Sequence, residues 1–170
     1  PGGSALASDL IGHALKECKK PVVAVMGQLA ASGGYYVLTH AKHVIAAPVT
    51  ITGSIGVVFG KFAWPKFNER YGISHEILSD DPHAGLFDSN RDFSETDDAV
   101  LTRLVDATYQ RFKQRVSNGR GLTLEQVETL ARGRVWTGED ALARGLVDEL
   151  GDLQTGIAYA KQLAELPEDA

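Results

Sequence analysis

The sequence predicts a layered α/β fold with mostly parallel strand pairing. Two observations carry this: short β-branched runs bounded by Gly or Pro, and amphipathic stretches alternating with them. A third is length, since 170 residues suit one domain able to bury a core. The whole chain, residues 1–170, is expected to form that single domain.

Ser4 is placed to cap a first helix over residues 5–19, with Leu6, Leu10, Ile11 and Leu15 as its apolar stripe. The proline-led run at 22–26 (Val22-Val23-Ala24-Val25-Met26) reads as a buried strand. A serine elbow at Ser32 and a short helix to about His40 follow, then a strand at 44–46. Residues 50–58 set two glycines among β-branched residues, the pattern of a bent strand or loop that backbone or ligand approaches closely. A helix over 63–71 ends at Gly72, and 74–78 reads as a strand. Residues 79–92 are rich in Asp, Pro, Gly and Ser and read as loop. A long helix spans 94–118, with Leu101, Leu104, Val105, Thr108, Tyr109 and Phe112 on one face. Thr123 and Thr137 cap two further helices, the second closed by Gly145. A short strand and turn at 146–151 lead into a last helix reaching about Leu166.

Charge and composition exclude several classes. Twenty-two acidic against 17 basic residues give a net charge of −5, so a nucleic-acid surface is not expected. Cys18 is the one cysteine, so no disulfide framework exists within the chain, which is neutral about compartment. No apolar run approaches the roughly 18 residues of a membrane span. The opening Pro1-Gly2-Gly3-Ser4 reads as a loop between a strand and a helix, so the chain is expected to be a fragment of a longer one.

The chemistry-bearing pattern is Ala30-Ala31-Ser32-Gly33-Gly34-Tyr35-Tyr36. A serine at a strand-to-helix junction, with glycines permitting close backbone approach, exposes its hydroxyl beside helix N-terminal amides. The same string also suits a tight Ala/Ser/Gly packing elbow without chemistry. Its company favours chemistry: Gly2-Gly3 and Gly53-Ser54-Ile55-Gly56 are two further glycine-bearing loops that the topology gathers at one sheet edge. Gly2-Gly3 and the amide beside Ser32 can both donate to a developing oxyanion. A phosphate cradle is excluded because neither phosphate-binding glycine motif follows a strand.

Several strings occur in order: Pro1-Gly2-Gly3-Ser4, Leu29-Ala30-Ala31-Ser32-Gly33-Gly34-Tyr35-Tyr36, Thr52-Gly53-Ser54-Ile55-Gly56-Val57, Gly133-Arg134-Val135-Trp136-Thr137-Gly138-Glu139-Asp140-Ala141 and Gly145-Leu146-Val147-Asp148-Glu149-Leu150-Gly151. Together they resemble signal peptide peptidase A, the protease IV group of serine peptidases (family S49). The resemblance runs nearly end to end and implies a ClpP/crotonase-like fold. It also implies a serine–lysine dyad in which Ser32 is the nucleophile. Gly3 and Gly33 would give the oxyanion-hole amides, and Ser54 would orient the lysine. A lysine kept neutral by desolvation serves such a dyad as base near neutral pH.

The lysine is where this sequence departs. The matching position is Ala84, and no lysine occurs between Lys66 and Lys113. This resembles the C-terminal half of the long, two-domain family members, so the base is expected from an N-terminal half or a neighbouring subunit. The other candidate bases are weaker. His83 reads as a solvated loop residue, Lys42-His43 as surface, and Lys61 and Lys66 as a solvated helix face; Asp80-Asp81 lack metal-ligand spacing. No metal or cofactor is expected. The resemblance implies an endopeptidase for cleaved signal peptides and other hydrophobic peptides, in a homo-oligomeric ring. It would be associated with the bacterial inner membrane and face the periplasm or outside. Val57, Val58 and Phe59, with Phe62 and Trp64, are candidates to line the substrate cleft, or equally core or subunit interface. Two alternatives stand beside the peptidase. One is a catalytically silent scaffold of the same family. The other is a crotonase-type acyl-CoA enzyme, which would need acidic residues where Ser32-Gly33-Gly34 stands.

Overall fold

The computed structural model describes residues 2–81 and 83–167; Pro1, Pro82 and residues 168–170 fall outside the described residues. The chain forms two compact units, one of Pro1–Val57 with Thr108–Ala170 and one of Val58–Ala107.

The first unit begins with α1 (Ala5–Glu17), β1 (Val23–Val25), β2 (Leu29–Ala31), α2 (Gly33–Leu38), β3 (His43–Ala46) and β4 (Ile51–Gly53). After α3 (Pro65–Arg70) in the second unit, α4 (Glu95–Arg120) leads to α5 (Leu124–Leu130), β5 (Val135–Trp136), α6 (Gly138–Ala143), β6 (Glu149–Leu150) and α7 (Leu153–Leu163). Two three-stranded sheets result. One has the order β1-β3-β6 and is parallel throughout, with Ala24 opposite Val44 and Ile45 opposite Glu149. The other has the order β2-β4-β5, with β2 and β4 parallel and β5 antiparallel.

The expected α/β architecture with mostly parallel pairing is therefore present, divided between two sheets. Val44, Ile45 and Ala46 are fully buried, which is what a strand covered on both faces requires. Each buried Val or Ile side chain contributes about 1.5–3 kcal/mol. Tyr35, Tyr36, Ile55, Phe112, Val116, Val127, Leu146 and Val147 continue this core. Tyr35 fixes α2 within it, donating its hydroxyl to the Leu146 carbonyl at 2.7 Å. Burial raises the Tyr35 phenol far above its ordinary pKa, so it stays a neutral donor.

Caps fall where the sequence places them. The Ser4 side chain accepts from the Ala7 amide, Thr123 forms a capping box with Gln126, and Thr137 accepts from the Asp140 amide.

Four elements depart from expectation. The apolar stripe of α1 faces outward: Leu6, Leu10 and Ile11 are 70%, 62% and 52% exposed, while Ser8 and Gly12 are buried. Small residues win because α1 lies close on α2: a Cβ at Gly33, the first residue of α2, would run into Ser8 Oγ. β2 is a strand within the presumed elbow, alanine-rich and held by its ladder to β4 rather than by propensity. β5 is a two-residue strand, too short to show a period. Residues 74–78 form no strand: the second unit offers no described strand to pair with them, and Leu78 is 88% exposed.

Within the second unit, Lys61 donates to the carbonyls of Leu86 (3.2 Å) and Asp88 (2.8 Å). Asp97 has no exposed side-chain surface and accepts from Arg91, His83 and the Ser94 amide. Arg91 above all holds the Asp97 carboxyl far below its usual range.

Arg115 of α4 closes the α1–α2 packing, donating to Asp9 of α1 at 2.7 Å and to the ring nitrogen Nε2 of His40. That contact requires a neutral imidazole. Burial first, then the charges of Arg115, Lys16 and His13, lower the His40 pKa from 6.5 against the opposing pull of Asp9. Below pH 6.5 the unfolded chain therefore takes up a proton that the folded state resists. Stability is expected to fall as pH drops from 6.5 toward the lowered His40 value. Urea midpoints of His40→Gln, which keeps an acceptor, should fall less over that window than those of the parent. Identical pH dependence in the two proteins would exclude His40 as the source.

Candidate active site

Two strand ends build the site. The register of β2 with β4 sets Ala31 opposite Gly53, so Ser32 and Ser54 leave the sheet side by side. The Ser32 amide donates to the Gly53 carbonyl at 2.8 Å, and the Ser54 amide to the Arg134 carbonyl at 2.7 Å. Both serines have positive φ, 53° and 48°. With ψ −121°, Ser32 holds a conformation that L-residues rarely adopt. Its carbonyl accepts from the Tyr36 amide at 2.8 Å, which starts α2 immediately behind it.

The Gly2-Gly3 loop lies directly against this elbow. A Cβ at Gly2 would be 2.7 Å from the Ser32 Cβ, 3.0 Å from its Oγ and 3.3 Å from the Gly33 amide nitrogen. A Cβ at Gly33 would run into Ser8 Oγ and lie 3.5 Å from the Gly3 amide nitrogen. The two loops can meet this closely only where side chains are absent. The candidates Gly3, Ser32, Gly33 and Ser54 are thus brought together within the first unit.

Sequence reasoning assigns no role to Ser8 or to residues 133–136. The 133–136 stretch backs the Ser54 loop: the Gly133 amide donates to the Ile55 carbonyl at 3.0 Å, and Trp136 Cδ1 would be 2.7 Å from a Cβ at Gly53. The string Gly133-Arg134-Val135-Trp136, one of those that carry the family resemblance, was the available clue.

The other candidates are more dispersed. Val57 is half-buried in the first unit. In the second, Val58 is 96% exposed and Phe59 sits in an aromatic cluster with Phe87 and Phe93. Ala84 is exposed in a turn, and His83 is engaged with Asp97. Lys113 is held by Glu128 at 2.7 Å, and Lys61 by two carbonyls. Among the described residues no group of three or more His, Cys, Asp or Glu is arranged to hold a metal ion.

Fold and site together define a ClpP-like layered α/β protein with a serine on a strained strand-to-helix elbow. A point mutant of ClpP1 from Listeria monocytogenes superposes with a TM-score of 0.60 at 16% identity, covering 92% of this chain and 71% of that one. The sequence profile of Peptidase family S49 matches residues 14–167, and the chain belongs to that family. Serine protease SPPA, chloroplastic, of Arabidopsis thaliana is 41% identical over 98% of the chain. Protease 4 of Salmonella typhi is 39% identical over 98%. The chain spans only about a quarter of these relatives, 25% and 27% of their lengths. Putative protease slr0021 of Synechocystis is 36% identical over 99% of this chain and 62% of its own.

Proposed function

We propose that this chain carries the nucleophile of a Ser/Lys serine endopeptidase whose lysine lies outside residues 1–170. The observation that carries the reading is the Ser32 backbone, held at φ 53° and ψ −121° with the Gly2-Gly3 loop against it. A conformation costing about 1–3 kcal/mol persists where the surroundings over-determine it, and such positions cluster at active sites.

In the proposed reaction, a neutral lysine amine takes the Ser32 Oγ proton while Oγ attacks the substrate carbonyl. The amides of Gly3 and Gly33 hold the oxyanion, and Ser54 orients the lysine. The lysine then gives its proton to the leaving amine, and water hydrolyses the acyl-enzyme. The lysine is proposed to come from an N-terminal half or a neighbouring subunit of a homo-oligomeric ring. Substrates are proposed to be cleaved signal peptides and other hydrophobic peptides, with Val57, Val58 and Phe59 lining their path. The proposed location is the bacterial inner membrane, facing the periplasm or outside. Among the described residues no helix is long and apolar enough to cross a membrane.

A fluorophosphonate probe is expected to label the full-length protein and not its Ser32→Ala variant. Absence of labelling in the parent would favour a silent scaffold or an acyl-CoA enzyme. The isolated 170-residue chain should be inactive until the upstream half is added. Robust hydrolysis by the chain alone would overturn the external lysine.

A further inference from the structure

We propose that Asp9, through its hydrogen bond with Tyr36, is a positioning residue for the Gly3 and Gly33 amides; the inference rests on the reading of Ser32 as nucleophile. The two amides belong to different elements. Gly3 leads into α1 through its cap Ser4, whose carbonyl also accepts from Ser8 Oγ at 3.0 Å. Gly33 opens α2. Their mutual placement therefore depends on how α1 is held against α2.

Apolar burial does little to hold it: Leu6, Leu10 and Ile11 face solvent and Leu15 is only half-buried. The buried positions of α1 are Ser8 and Gly12, which allow close approach but bury little apolar surface. What remains is a polar clasp. Tyr36 donates its hydroxyl to Asp9 Oδ1 at 2.6 Å, and Arg115 donates to the same oxygen at 2.7 Å. Arg115 lies over the Tyr36 ring, 5.6 Å from its centroid, and also engages His40. Tyr36 stands one turn beyond Ser32, with Asp9 one turn into α1 beyond Ala5. Slackening the clasp there shifts one amide relative to the other. The Tyr36 hydrogen bond, followed by Arg115, holds the Asp9 carboxyl below its usual range, so the clasp stays charged near neutral pH. A displacement of about 1 Å in such a pair costs on the order of a hundredfold in rate.

The test is steady-state kinetics of the full-length protein, with active serine counted by probe titration. Asp9→Ala is expected to lose about a hundredfold in kcat with KM changed less than about threefold, the pattern of an interaction made only in the transition state. Asp9→Asn, which keeps an acceptor for both donors, should recover to within about tenfold of the parent. Tyr36→Phe should lose about tenfold in kcat, and adding it to Asp9→Ala should cost nothing further. Should Asp9→Ala fail to fold, Tyr36→Phe decides alone, since it removes one oxygen and keeps the ring against Phe112. A lowered melting temperature with kcat per active serine unchanged would make the clasp merely structural and overturn the proposal. A dead Ser32→Ala beside unchanged Asp9→Ala and Tyr36→Phe would overturn the positioning role alone. A fully active Ser32→Ala would overturn the nucleophile reading and this inference with it.

Discussion

Replacing Ser32 by glycine is expected to give a full-length protein that melts at higher temperature and has lost its peptidase activity. The backbone at φ 53° and ψ −121° is accessible to glycine at little cost, whereas any side chain there stores about 1–3 kcal/mol. Glycine also gains freedom in the unfolded chain, worth about 0.5–1 kcal/mol against folding. The net is a stabilisation of about 1 kcal/mol. The same exchange deletes the proposed nucleophile, for which a loss on the order of 10⁶-fold in kcat is expected. Ser32→Ala is the control, because it removes the hydroxyl and keeps the strain. It should be equally inactive and gain no stability. Differential scanning calorimetry with a peptidase assay reads both quantities. If the glycine variant melts no higher than the alanine variant, the elbow holds no strain that glycine can relieve.

Gly119→Ala is expected to destabilise by about 2 kcal/mol or more, against the gain of about 1 kcal/mol that helix propensity alone assigns to alanine in α4. The added methyl would run into the Thr39 carbonyl oxygen and lie 2.9 Å from its carbon. Those are backbone atoms at the C-cap of α2, which cannot swing aside as a flexible side chain does. Nor can α4 withdraw freely. Phe112 and Val116 anchor it in the core, and Phe112 meets Tyr36 at 5.0 Å between ring centroids. Denaturant unfolding measures the sign directly. A neutral or stabilised variant would show that the α2–α4 contact is slack.

That glycine also illustrates where sequence reading stops. Asn118-Gly119 has the form of a helix terminus, yet α4 continues to Arg120 because the glycine answers to Thr39, a residue far away in the chain. Local chemistry was legible wherever the cause was local. Ser4, Thr123 and Thr137 cap helices by bonding amides about three residues on, and Gly72 and Gly145 take the positive φ that ends a helix. The β-branched runs of β1 and β3 read correctly for the same reason. The α1 face did not, since an apolar stripe predicts a buried face only if its neighbour can accommodate it, and α2 admits Ser8 and Gly12 instead. β2 and β5 have too few residues for a period and exist through their ladders with β4. At the site, three glycine-bearing loops suggested one edge, and the structure does bring Gly2-Gly3, Ser32-Gly33 and Ser54 together. The support behind them, Ser8 below Gly33 and Arg134 behind Ser54, depends on contacts between distant parts of the chain, which no local pattern assigns.

The ladders joining distant parts of the chain also set a timetable. The Val44 amide is satisfied by the Asp148 carboxylate across 104 positions, β6 completes the β1-β3 sheet, and Ser54 waits on Arg134. At about 5–20 residues per second, a ribosome needs roughly 5–20 s to make that intervening stretch. Through those seconds the segment bearing Ser32 has emerged but lacks the partners that hold the Ser54 loop in place. The Ser32 elbow draws its own contacts from residues 2–54, whereas the neighbouring Ser54 loop gains its Arg134 partner only once most of this region has been made.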